Sequence, residues 1–214
     1  MTQDGSREPV RGIRSAAVPA ALLNSPANKP NVRCRRKLPH FERFGATYFV
    51  TFRLADSMPQ AVLERFEKQK RLSLAAGKPP TIHLARSIER YLDAGAGKCH
   101  LGKDAAASSI ANVLRHFDGA RYRLSAWCVM PNHVHVIFQP LNGHKLADIL
   151  HAWKSYSAKS VNRQLGLSGR LWQREYYDRL IRDPRELSRA IAYVAENPKK
   201  AGLGNWPWVW VETT

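Results

Sequence analysis

Ala126–Pro140 reads AWCVMPNHVHVIFQP, two apolar runs that meet at the corner Pro131-Asn132. Side chains alternate across a strand, so Val134, Val136 and Phe138 share one face while His133 and His135 share the other. The apolar set belongs to a core. The two imidazoles then stand side by side on the opposite face, with roughly 7 Å between their Cα atoms at about 3.3 Å rise per residue. Two neutral imidazoles at that spacing can grip one divalent cation.

Around this stretch lies a chain of 214 residues with a hydrophobic fraction of 44%, enough for one domain with appendages. Its formal charge of +17 self-repels unless it meets a polyanion, and nucleic acid is the commonest one. Cys34, Cys99 and Cys128 are odd in number and form no CxxC pair, which argues against a disulfide framework or a thiolate zinc site. No apolar run approaches the length of a membrane span, and no secretion signal opens the chain. A cytoplasmic protein, with no membrane partner, is the expectation.

Upstream of the histidines, residues 1–39 hold five of the thirteen prolines and no sustained periodicity. The eight cations there, Arg7, Arg11, Arg14, Lys29, Arg33, Arg35, Arg36 and Lys37, face only Asp4 and Glu8. This reads as a disordered basic arm, able to touch phosphates through Arg33, Arg35, Arg36 and Lys37. Thr47–Leu54 is β-branched and aromatic, hence a strand. Helices are then expected from near Pro59, over Ile82–Leu92 and over Lys103–Phe117. Arg121–Met130 is the strand before the histidines.

Downstream, Leu146, Ile149, Leu150, Trp153 and Tyr156 recur at helical spacing, which predicts a helix over Lys145–Gln164 with a buried stripe. Lys154, Lys159 and Arg163 lie off that stripe and are candidate phosphate contacts. Leu171–Ile181 reads as extended, with Trp172, Tyr176 and Tyr177 as anchors. Asp183-Pro184-Arg185-Glu186 supplies an N-cap acceptor, a proline at the first helical position and a carboxylate three residues past the cap. The helix it starts is expected to end at Pro198. Tyr193 and Asn197 are four apart on it, so they neighbour each other beside the stripe Leu187, Ala190, Ile191 and Val194. The closing residues alternate Trp206, Trp208 and Trp210, a tail expected to dock on the core.

Two imidazoles for a metal, an amide oxygen as a third ligand, a phenol one turn away and a basic body are the parts of a phosphoryl-transfer site with a tyrosine nucleophile. The blocks PNHVHVIFQP, WQREYYDRLIRDP and AYVAENPKKAGL resemble the single-tyrosine HUH transposases, and most closely the REP-associated tyrosine transposases of the insertion-sequence-200-like superfamily. The likeness runs from about Phe41 to Leu203.

That resemblance implies an α+β fold: a ferredoxin-like antiparallel sheet with packed helices, of HUH endonuclease type, over residues 40–205. Residues 59–118 form a helical insertion in it, and residues 206–214 a Trp-rich tail. It implies that His133, His135 and Asn197 hold Mg²⁺ or Mn²⁺, and that Tyr193 attacks DNA to give a 5′-phosphotyrosine. Tyr176 and Tyr177 are the rival nucleophiles. The implied partner is single-stranded or hairpin DNA, such as a repetitive extragenic palindrome, bound by a monomer or a homodimer; in related transposases the tyrosine helix swaps between subunits. The rival readings are a domesticated hairpin-binding protein that does not cut, another HUH nuclease (a relaxase or a replication initiator), and a basic RNA-binding protein.

Overall fold

The computed structural model describes residues 31–35, 38–43, 45–75, 82–141 and 143–213. Its centre is a five-stranded sheet built from β3 (Tyr48–Arg53), β4 (Tyr122–Val129), β5 (His133–Pro140), β6 (Tyr177–Leu180) and β7 (Val209–Val211). The spatial order is β6-β3-β5-β4-β7, and every neighbouring pair is antiparallel. Of the connecting helices that pack on the sheet, α3 (Asp104–Arg115) leads into β4, and α4 (Leu146–Leu165) joins β5 to β6. Numbered along the chain, the four central strands stand in the order 4-1-3-2, which is the ferredoxin-like arrangement.

Alternation along β5 divides the two faces of the sheet. Val134, Val136 and Phe138 join Val50 and Phe52 of β3 and Trp127 and Val129 of β4 in the larger core, closed by α3 and α4. Trp153 of α4 anchors it: its Nε1 donates to the Tyr122 hydroxyl at 2.9 Å, and its ring stands edge-on to Tyr122 and Phe138. Each such aromatic pair adds about 0.5–1.5 kcal/mol beyond burial. On the other face, Phe49, Ala126, Cys128, Met130 and Ile137 pack under Ala190 and Val194 of α5 (Pro184–Lys200). The histidines belong to this second face.

The segment 59–118, expected as one helical insertion, divides in two. Leu63 and Phe66 of α1 (Gln60–Ala75) and Leu92 of α2 (Ile82–Asp93) make a small cluster of their own with Met58. Ala106, Ala107, Ile110 and Leu114 of α3 instead join the main core, because their spacing gives that helix an apolar face broad enough to cover the sheet. Within the expected basic arm, residues 1–30 and 36–37, including Arg36 and Lys37, lie outside the described residues. Asn31–Arg35 (β1), carrying Arg33 and Arg35, pairs antiparallel with Leu38–Glu42 (β2), although this stretch was expected to be disordered. Each run is only five residues long, too short for its alternation to stand out in the sequence.

The tail docks as expected and also forms a strand. β7 pairs with β4 and so covers what would be an open sheet edge. Trp206 Nε1 donates to the Val129 carbonyl at 2.7 Å, and Trp208 Nε1 to Asp104 Oδ1 at 3.0 Å. No described helix is long and apolar enough to cross a membrane.

Candidate active site

β5 delivers the two imidazoles to the middle of the second face, both fully buried, with their Nε2 atoms 2.9 Å apart. Neighbours fix each ring from behind. His133 Nδ1 lies 2.6 Å from Asn132 Oδ1, and His135 Nδ1 lies 2.8 Å from Thr51 Oγ1 of β3. The Asn132 amide has one available orientation, since its Nδ2 donates to the carbonyls of Leu92 and Ala96 at 3.0 and 2.9 Å. Its oxygen must therefore accept from His133 Nδ1–H, which leaves the His133 Nε2 lone pair directed into the site.

Burial is the main force on both rings and holds them well below the usual imidazole range, the field of His135 and then Arg53 adding to this at His133. Both are neutral at pH 7, the state in which imidazole binds a metal. Two nitrogens at right angles around a hard divalent cation, each about 2.1 Å from it, would stand about 3.0 Å apart. The observed 2.9 Å matches that separation.

On the same face of the sheet, α5 brings in the second half of the site. Asp183 caps the helix by accepting from Glu186 N at 2.8 Å, and Pro184 occupies its first turn. The helix does not end at Pro198, as expected, but runs through it to Lys200. A proline removes a single helical donor, and the Ala201 N to Asn197 O bond at 3.0 Å carries the next turn. Asn197 is buried, with Nδ2 3.4 Å from His135 Nε2 and with an Oδ1 that meets no hydrogen-bond donor. An orphaned amide oxygen beside an imidazole pair fits a ligand position. One turn back, the Tyr193 ring stands edge-on to His135 with centroids 5.4 Å apart, and Phe49 packs against both rings. Lys200 Nζ lies 5.6 Å from the Tyr193 ring centre and 2.8 Å from Glu196 Oε2.

The other sequence candidates fall away from this centre. Lys154 donates to the carbonyls of Gln173 and Arg174 at 2.7 and 2.8 Å, and burial brings its ammonium down to about 8. Lys159 and Arg163 are exposed on α4, a helix of the face opposite the histidines. Tyr176 packs with the larger core. Tyr177, which pairs with Thr51, lies on the site face but one strand further from His135 than β3.

Asp93 is the residue that sequence reasoning missed. Its Oδ1 lies 3.8 Å from His133 Nε2, and burial raises its carboxyl to about 6 against the opposing field of Lys200. The distance is that of an ion pair, but a neutral His133 makes none. No signal near Asp93 marks it, because it reaches the site from the far end of α2, forty positions before His133.

Asn132→Ala is expected to cost about 2–3 kcal/mol of stability, since it orphans two buried carbonyls and an imidazole N–H. It should also weaken metal binding by about 10- to 100-fold by releasing His133. Guanidinium denaturation and Mn²⁺ titration calorimetry measure the two effects.

Residues 103–197 match the family described as "Transposase IS200 like". Over that stretch the chain is similar to the IS200-like transposases. The matched transposase segment holds His133, His135, Tyr193 and Asn197, and stops short of Thr51 and Asp93. The chain is 29% identical over 97 residues to the "Putative REP-associated tyrosine transposase" of Haemophilus influenzae, a match covering 39% of this chain and 55% of that protein. It is 27% identical over 90 residues to the "REP-associated tyrosine transposase" of Escherichia coli, covering 40% and 52%. The chain thus spans about half the length of the curated relatives it matches. A solved structure of a REP-associated tyrosine transposase bound to a REP hairpin aligns with 80% of this chain and 82% of its own, at 18% identity and a TM-score of 0.46.

Proposed function

We propose that this protein is a metal-dependent transposase that cleaves and rejoins single-stranded DNA at or beside a hairpin through a 5′-phosphotyrosine on Tyr193. The observation that carries this reading is the meeting of α5 with β5: Tyr193 and Asn197, one turn apart, both touch the His135 imidazole. The names of the curated relatives associate them with REP elements, which supports a repetitive extragenic palindrome as the hairpin. The formal charge of +17 suits a polyanionic partner.

When bound, Mg²⁺ or Mn²⁺ supplies Lewis-acid polarisation of a non-bridging phosphate oxygen. His133, His135 and Asn197 would hold it, with Asn132 and Thr51 fixing the imidazole orientations. Tyr193 Oη bonds to phosphorus as the bond to the 3′-oxygen breaks; that oxygen leaves with a proton, and the phenol proton goes to solvent. A 3′-hydroxyl attacking the phosphotyrosine reverses the step and rejoins DNA without an external energy source. In this reading Tyr193 acts from the chain's own α5, beside His135 of the same chain, and the protein works in the cytoplasm.

Incubation of the full chain with end-labelled hairpin DNA carrying single-stranded flanks tests the reading. Cleavage in Mn²⁺ that stops with EDTA is the expected result. Metal-independent binding with no cleavage would instead make the protein a domesticated hairpin binder.

A further inference from the structure

Asp93 closes α2, outside the stretch that matches the transposase family, yet its carboxylate enters the imidazole site. One ligand atom each from Asp93, His133 and His135 lies within 4.8 Å of the others. Asp93 Oδ1 is buried and no hydrogen bond reaches it. A buried acceptor in that condition is unfavourable unless a donor or a cation completes it.

The backbone on either side of Asp93 is clasped in place. Asn132 Nδ2 donates to the carbonyls of Leu92 and Ala96, immediately before Asp93 and three residues after it. Lys98 N donates to Asp56 Oδ2 at 2.9 Å. Gly97, at φ +90°, backs onto the Asp56 carbonyl so closely that a Cβ would stand 2.7 Å from that oxygen. Only glycine fits both the conformation and the approach. Since the Asn132 oxygen meets His133 Nδ1, one amide aligns the histidine and the aspartate together.

We propose that Asp93 is a carboxylate ligand of the metal centre, joining His133, His135 and Asn197. This rests on the reading of the imidazole pair as a metal site. Asp93 stands at the His133 side of the pair and Asn197 at the His135 side, so the two oxygens flank the nitrogens. A mixed set with one anionic oxygen is harder than two imidazoles and an amide, and favours Mn²⁺ and Mg²⁺ over softer cations.

Mn²⁺ binding to the full chain without DNA, followed by calorimetry and by loss of the free-ion EPR signal, tests the assignment. Asp93→Asn, which keeps the shape, should weaken Mn²⁺ binding at least ~10-fold with an unchanged circular dichroism spectrum. Gly97→Val alters no ligand but displaces the clasped loop, and should weaken binding in the same direction. Wild-type affinity in both variants, with binding abolished in His135→Ala, would overturn the role of Asp93 and leave the imidazole site standing. Failure of the wild-type chain to bind Mn²⁺ at all would remove both.

Discussion

Tyr193→Phe should lower hairpin cleavage at least ~10³-fold and abolish the covalent protein–DNA adduct, because it removes the attacking oxygen and nothing else. The ring contacts with His135 and Phe49 survive in phenylalanine, so the fold and the metal site should be undisturbed. Mn²⁺ affinity and hairpin affinity should therefore stay within about threefold of wild type, a change worth under about 0.7 kcal/mol. The separation matters: a variant that loses cleavage and metal together would point to a structural role for the ring. Adduct counting after denaturing electrophoresis, beside Mn²⁺ calorimetry on the same sample, distinguishes the two.

His135→Ala should weaken Mn²⁺ binding at least ~100-fold and cost cleavage about as much as loss of the tyrosine, since this imidazole touches both Asn197 and Tyr193. It should also change how metal-free protein responds to acid. Burial holds His135 down to about 3 and His133 well below its usual range, whereas in the unfolded chain both titrate near 6.5. Below about pH 6.5 the unfolded chain binds more protons, so stability is complete above that pH. It falls by about 1.4 kcal/mol per unit for each histidine as pH drops toward 3.

Asp93 acts in the opposite sense. Its folded value of about 6 lies above the ordinary 3.8, so the folded chain takes that proton first and recovers some stability between about pH 6 and 4. His135→Ala should remove one histidine's share of the acid slope. Guanidinium denaturation in EDTA at pH 7, 6 and 5 measures it.

The histidine strand was legible because alternation over His133–Val136 puts both imidazoles on one face and Val134 and Val136 on the other, although the histidine face carries a second core that includes Ile137. The start of α5 was equally plain, since Asp183, Pro184 and Glu186 place their chemistry within four residues of the helix end they cap. Its far end was misread because a proline is a statistical stop signal, while the structure loses only one bond there. Asp93 was out of reach for a different reason. Its approach depends on Asn132 reaching back forty positions to Leu92 and on Gly97 backing onto Asp56, pairings that no local pattern encodes. Lys154 was legible only in part: its spacing marks it as off the buried stripe but cannot show that its ammonium ends on the carbonyls of Gln173 and Arg174. The strand in the tail depended on β4 having an unpaired edge, a property of the assembled sheet.

In the proposed reaction the phenol packed against the His135 imidazole is the one that attacks DNA. Mass spectrometry of the proteolysed protein–DNA adduct, formed with hairpin DNA in Mn²⁺, locates the modified tyrosine. A nucleotide-bearing peptide containing Tyr193 is the result predicted; attachment to Tyr177, the other phenol on that face, or to Tyr176 would contradict it.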